Sequence, residues 1–378
     1  MRIPLQNYHK TSHYHHRENS ILHRLHIDMT LFFLLLVLSA IGLVILYSAA
    51  NGDMALIQRQ ATRLAVAFFA MLVMAQVPPH ILKMFAPWLF LGGILLLLSV
   101  LFFGDMGKGA QRWLNLGVFR FQPSELLKLA TPMMIAWYLA ERRLPVKFKY
   151  IFFASIFIAI PTVLIAKQPD LGTSILIASS GLAVLFLSGI SWRLILYVSG
   201  AATALAPALW HFMKEYQKQR VLTFLNPEDD PLGAGYHIIQ SKIAIGSGGT
   251  YGKGWLHGSQ ARLDFLPESS TDFIFAVFAE EFGLIGCALL LLTYFLIFIR
   301  SIYIAVQAQD TFSRLLAGSL ALTFFIYLFV NVGMVTGILP VVGVPLPLIS
   351  YGGTSMVTLL IGFGILMSIQ THRKLLSS

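Results

Sequence analysis

The sequence predicts an all-α polytopic membrane protein of about ten transmembrane helices, with a large extracytoplasmic loop between the seventh and eighth. Three observations carry this expectation. Of 378 residues, 57% are hydrophobic and only 12% charged, against about 45–50% and about 25% in an ordinary soluble domain. Apolar runs long enough to cross hydrocarbon, which takes about 20 residues, recur along the chain. Basic residues are scattered between those runs instead of forming one patch. A water-soluble fold of this length lacks the charged surface it would need, and collagen, coiled coil and disorder each need a more polar or repetitive chain.

In chain order, residues 1–28 form an amino-terminal tail expected in the cytoplasm. It carries Arg2, Lys10, Arg17 and Arg24, and the histidines His9, His13, His15, His16, His23 and His26. Those histidines imply no fixed ligand geometry and read as part of a disordered tail. The apolar run that follows is too long for a cleaved signal peptide, although Ser48-Ala49-Ala50 loosely mimics a cleavage site. Uncharged runs at 29–50, 64–82, 84–104, 150–166, 171–192 and 194–213 each predict a span. A shorter run, 129–140, becomes a full span if it starts at Pro123 and accepts Glu125 and Lys128 in its first turns. Segment 273–299 is apolar apart from Glu280 and Glu281. The tract 315–372 has no Asp, Glu, Lys or Arg, and Pro340, Pro345, Pro347 and Gly352-Gly353 break it into two spans. Residues 29–372 are thus expected to be one ten-helix transmembrane domain, with 373–378 a short cytoplasmic end.

Basic residues set the expected orientation. Arg142, Arg143, Lys147 and Lys149 fall in one loop, and Arg300, Arg314, Arg373 and Lys374 share that side under ten-span counting, which makes both termini cytoplasmic. Two segments then face outside. One, 104–124, holds Lys108, Arg112 and Arg120. The other, 214–271, is a 58-residue loop with six basic and six acidic residues. Basic residues on the outer face suggest an anionic ligand, with lipid head-group contact as the alternative. The net charge of 27 − 17 = +10 fits anionic lipids better than nucleic acid, and no nucleic-acid partner is expected. Cys287 is the only cysteine, which excludes an internal disulfide and a cysteine metal site and predicts a packed thiol.

Some motifs fail on inspection. The glycines from Gly246 to Gly254 imitate a phosphate loop, but the first required glycine is missing and Gly254 stands where Ser or Thr would bind magnesium. No internal repeat of fixed period is visible. Intramembrane charges are more informative, because burying them is costly. Glu125 and Lys128, at i,i+3, share a helix face and can pair, either as a brace or as a ligand site. Asp170 follows Pro169 at the start of a span, where a carboxylate commonly caps the helix. Asp272 opens the eighth span after Ser269-Ser270-Thr271. Spacing alone favours a capping box with Ser269, while a half-desolvated carboxylate beneath a glycine-rich loop, close to Asp264 and Glu268, would also suit a general base.

The residues from Asn331 to Ser355, NVGMVTGILPVVGVPLPLISYGGTS, resemble the signature of the shape, elongation, division and sporulation family over 25 positions. Lys108-Gly109-Ala110-Gln111-Arg112-Trp113-Leu114, Phe121-Gln122-Pro123-Ser124-Glu125, Gln168-Pro169-Asp170-Leu171-Gly172-Thr173 and Thr271-Asp272-Phe273 resemble its other blocks, in the same order. The likeness covers nearly the whole chain beyond the tail. The compact ends and Leu263-Asp264-Phe265-Leu266-Pro267-Glu268 favour the rod-shape, elongation branch over the division paralogue. The six-histidine tail departs from the usual pattern.

This resemblance implies a peptidoglycan glycosyltransferase of the bacterial cytoplasmic membrane that polymerises lipid II into β-1,4 glycan on the outer face. It also implies a class B penicillin-binding protein as transpeptidase partner, alongside other membrane proteins of the rod complex. By matching position, Asp272 is the expected catalytic aspartate, which reverses the preference for capping, and Arg112, Glu125, Lys128 and Asp170 are expected to serve the substrate. An inverting displacement needs one base and cations on the leaving pyrophosphate. Arg112, Lys108, Arg120 and Arg220 are candidates for those cations. A divalent cation, magnesium or manganese, could share that load, although no protein metal-ligand cluster is visible. A lipid II flippase is the rival from another class; it would need polar residues deep in several helices.

Overall fold

A computed structural model describes residues 26–372 apart from 108–109, 116–119, 214, 230–233, 264 and 267. Among them are ten helices of 17 to 33 residues: α1 (Met29–Ala49), α2 (Met54–Ala75), α3 (Pro79–Phe103), α4 (Pro123–Ala140), α5 (Phe148–Lys167), α6 (Leu171–Leu187), α7 (Trp192–Phe212), α11 (Ile274–Val306), α12 (Thr311–Val335) and α13 (Thr354–Thr371). Seven of these are long and apolar enough to cross a membrane. The chain is a multi-pass membrane protein. The expected outer loop at 214–271 holds further helices: α8 (Glu215–Leu225), α9 (Ala234–Gly248) and the short α10 (Ser259–Arg262). Segment 104–124 holds three short antiparallel strands in the order β1 (Asp105–Gly107), β2 (Ala110–Asn115) and β3 (Arg120–Phe121). Cys287 packs partly buried against the main core, as expected.

The second span differs from the expected 64–82. Asp53 caps α2, accepting from the Ala55 and Leu56 N–H groups, and Pro79 starts the next helix behind Pro78. Proline belongs at a first helical turn and not in an interior, so a helix crossing 78–79 is disfavoured. The charges at Arg59 and Arg63 concealed the true start.

Two irregular segments lie inside the bundle. Helix α11 is broken at Gly283 (φ 61°, ψ −164°). The chain after α9 crosses it there and exchanges backbone hydrogen bonds. The N–H groups of Lys253 and Gly254 donate to Glu280 and Glu281 carbonyls, while Leu284 and Ile285 N–H donate to Gly249 and Thr250 carbonyls. A Cβ on Gly252 would lie 2.1 Å from the Glu281 carbonyl oxygen, and one on Gly283 would lie 2.3 Å from the Gly252 nitrogen. The glycines that imitate a phosphate loop therefore serve a backbone crossing. Before the break, Ile274 to Glu281 are buried; after it, Leu284, Leu289, Leu292 and Phe295 are exposed apolar residues suited to lipid. Glu280 is completely buried, accepting from Ser259 and Gln260 N–H, the Ser259 hydroxyl and Lys253 Nζ at 2.6 Å.

The second segment joins α12 to α13. Its carbonyls are met by side chains: Asn331 Nδ2 donates to Val344 O, Tyr294 Oη to Pro347 O and Gln60 Nε2 to Ser350 O. Irregular backbone at membrane depth survives only when protein or water satisfies it, and these three donors do so.

Residue contacts also sort the bundle's ends. Arg300 pairs with Asp28, and the rings of His26 and His372 stack at 3.9 Å. At the other end of α1, Ser48 donates to Glu281, and the Ala49 carbonyl accepts from Ser269. The described chain ends thus share one end of the bundle. The break in α11 and the residues around 269–272 lie at the other, about 30 Å away for 21 residues at about 1.5 Å each.

Candidate active site

Three elements bring the expected polar residues together. Gln122 precedes α4, whose first position is Pro123, and this fixes the helix start. One turn in, Lys128 Nζ lies 2.8 Å from Glu125 Oε1, and both side chains are less than a tenth exposed. Lys128 also stands 5.5 Å from the Tyr327 ring centroid on α12. Asp170 caps α6, as its position suggested, accepting from the Thr173 N–H at 3.2 Å. Its other oxygen faces Arg112 Nε on β2 at 3.4 Å and Gln122 Nε2 at 3.5 Å. Arg112 Nη2 donates to the Pro169 carbonyl at 3.1 Å. A strand, two helix starts and one guanidinium are thereby held in register.

A cavity of about 1000 Å³ opens beside this cluster, walled by α2, α4, α13 and the strands. Arg63, Arg112 and Glu125 supply its charge, and Val66, Leu129 and Ile361 are among its apolar walls. The second carboxylate oxygen of Glu125 is buried and has no hydrogen-bond partner among the described residues. The arrangement suits an amphipathic ligand: ionic groups can be held near β2, and an alkyl chain can lie between α2, α4 and α13.

Asp272 is not among the residues lining this cavity. The capping box is not formed. Phe273 is the N-cap of α11, and the Ser269 hydroxyl is turned to Ala49 instead. Asp272 is anchored through its main chain, whose carbonyl accepts from Asn331 Nδ2 at 2.9 Å. A Cβ at Gly343 would come within 3.4 Å of its carboxylate. Its neighbours tie it to the cavity: Ser350 Oγ donates to the Thr271 carbonyl, and Tyr351 N–H to the Ser270 carbonyl at 2.8 Å. Tyr351 in turn lies beneath Arg63, at 4.8 Å.

Lys108 and Asp264 lie outside the described residues, as do the side chains of Arg120 and Arg220. Sequence reasoning missed Gln60 and Arg63. They lie at i,i+3 on α2 and hold the Ser350–Gly353 turn from one face, Gln60 through Ser350 and Gly352 and Arg63 through Tyr351. The available signal was two long polar side chains at helical spacing ahead of an apolar run. Among the described residues no group of three or more His, Cys, Asp or Glu is placed to hold a metal ion.

The chain is similar to known proteins in sequence and in fold. The family model described as "Cell cycle protein", covering FtsW, RodA and SpoVE, matches residues 27–375. The peptidoglycan glycosyltransferase MrdB of Escherichia coli strain K12 is 54% identical over 94% of this chain and 96% of its own length. Among solved structures, a chain of a peptidoglycan synthase complex that coordinates polymerization and crosslinking superimposes with a TM-score of 0.80 at 34% identity, covering 92% of this chain and 98% of that one. The rod shape determining protein RodA of Thermus thermophilus gives 0.70 at 28%, with 92% and 97% covered. With its own strands, helix starts and signature segment in the arrangement above, the chain belongs to the FtsW/RodA/SpoVE family, the shape, elongation, division and sporulation proteins.

Proposed function

We infer that this chain is a peptidoglycan glycosyltransferase that polymerises lipid II into β-1,4 glycan strands during cell elongation. The observation that carries the reading is the cavity, which has ionic groups beside β2 and apolar walls between α2, α4 and α13. Such a site accommodates a diphosphate joined to a polyprenyl chain. The likeness to MrdB and to RodA supports the elongation branch over the division paralogue. The polar residues gather in the first turns of α4 and α6 beside the strands, which supports surface chemistry over transport by a flippase.

The donor sugar is α-linked to pyrophosphate and the product bond is β, so a single inverting displacement suffices. Asp272 takes the proton from the acceptor 4-hydroxyl as that oxygen attacks the anomeric carbon, and the bond to the pyrophosphate breaks. Arg112, held by Asp170 and the Pro169 carbonyl, presents paired N–H donors to the leaving phosphates. A divalent cation, when bound, would share the charge of the leaving pyrophosphate. Asp272→Asn keeps the size of the side chain and removes the base. General-base assistance is typically worth about 10²–10⁴-fold, so glycan formation from lipid II, at equal protein and partner concentrations, falls by that factor. Near-normal polymerisation would remove Asp272 from the mechanism.

The partner in this reading is a class B penicillin-binding protein, by analogy with the synthase complex above. Both termini are cytoplasmic and the cavity faces outward, in keeping with the basic residues near Arg142 and Arg143. In a Cys287→Ser background, Tyr251→Cys, at a highly exposed position, reacts with an impermeant thiol reagent in intact cells and Arg143→Cys does not. The opposite pattern inverts the topology.

A further inference from the structure

Three cationic side chains stand at or just beneath the cavity, and two are already matched. Lys128 pairs with Glu125, and Arg112 with Asp170. Arg63 makes no ion pair among the described residues; its described partner is the neutral ring of Tyr351. It also lies against the start of α13. A Cβ at Gly353 would sit 3.5 Å from Arg63 Cδ and Nε, and Gly353 caps that 18-residue helix without a side-chain hydrogen bond. The amino terminus of a helix carries partial positive charge and free N–H groups. A guanidinium placed there faces like charge, and the carboxylate lining the cavity, Glu125, is already paired with Lys128. Both groups line the same cavity, since Arg63, Gly353 and Thr354 are on its wall, and its apolar side begins one turn along α2 at Val66.

We propose that Arg63 is an anion-binding residue that takes the diphosphate oxygens of a polyprenyl-linked ligand, together with the first turn of α13. The inference rests on the glycosyltransferase reading for the identity of the ligand, while its physical basis is the unmatched cation in an amphipathic cavity. Tyr351 fixes the plane of the guanidinium, and Gln60 fixes the turn that carries Tyr351. Arg63 acts in binding; proton transfer stays with Asp272.

The test is direct binding to the full-length protein in nanodiscs, using undecaprenyl diphosphate, inorganic pyrophosphate and phosphatidylglycerol as separate probes. Arg63→Gln is expected to weaken undecaprenyl diphosphate about tenfold, the scale of one charge-assisted contact. Inorganic pyrophosphate should weaken in parallel, with phosphatidylglycerol unchanged. On the unsubstituted protein, undecaprenyl diphosphate at about ten times its Kd should slow phenylglyoxal modification of Arg63 about tenfold, read by peptide mass spectrometry. That measurement stands even if the variant fails to fold. Equal affinities for the two proteins, or unprotected Arg63, overturn the proposal, and an effect confined to phosphatidylglycerol overturns the diphosphate assignment. Because binding needs no turnover, the two readings fail separately. Polymerisation with unchanged Arg63→Gln binding removes Arg63 alone, and Arg63-dependent binding without polymerisation removes the glycosyltransferase.

Discussion

Two ion pairs of the same chemistry sit at different levels of this bundle. Lys83 and Glu141, at the end that holds the described termini, are 3.5 Å apart with side chains 36% and 79% exposed. Glu125 and Lys128, beneath the cavity, are 2.8 Å apart with side chains 8% and 7% exposed. Solvent separates their worth more than distance does. The first pair is screened and each partner stays hydrated when the other is removed. The second has given up hydration on both sides, so each charge depends on its partner. The two ends of the molecule differ less sharply: near the termini Asp28 is also buried against Arg300, whereas around the cavity irregular backbone is buried as well and met by side-chain donors.

Breaking the buried pair should give the largest stability loss. Lys128→Ala leaves Glu125 uncompensated, which costs roughly 3–5 kcal/mol when burial is nearly complete. The Glu125→Ala, Lys128→Ala double variant should lose less than the sum of the single losses, measured by thermal denaturation in detergent. Additive losses would mean the two residues act independently. Asp170 should fall between the extremes, since its Arg112 partner is 30% exposed. Asp170→Ala forfeits both the α6 cap and the pair, about 2 kcal/mol together, while Asp170→Asn keeps capping ability and should lose about half of that. A common loss for the two variants would assign the whole effect to the ion pair. Lys83→Ala should cost under about 1 kcal/mol, and less as ionic strength rises. A loss as large as that of Lys128→Ala would erase the contrast.

Much of the framework was legible because membrane spans are local features. Ten apolar segments, the i,i+3 pair of Glu125 and Lys128 and the cap at Asp170 each depend on neighbours in sequence. The unread features depend on distant ones. Arg63 lay just outside the expected second span and drew no reading, because its meaning comes from Tyr351, far along the chain. The supposed capping box at Ser269 and Asp272 had nearly the right spacing, yet α11 starts after Phe273 and Ser269 bonds to Ala49. Glu280 read as a stray charge in a span. Its partners Lys253, Ser259 and Gln260 come from the preceding outer segment.

The break at Gly283 also bears on how the chain is made. Residues 284–306 are long enough to cross a bilayer, about 35 Å at about 1.5 Å per residue, and Arg300 near their far end meets Asp28. The biosynthetic machinery can therefore commit this rod to lipid with Glu280 and Glu281 still in water. Insertion of that rod does not call on the crossing chain at 249–254, whose backbone hydrogen bonds hold the short upstream piece. Bulk at Gly252 should leave the nascent protein inserted at normal yield and open to protease at 249–259, separating entry into the membrane from maturation of the enzyme.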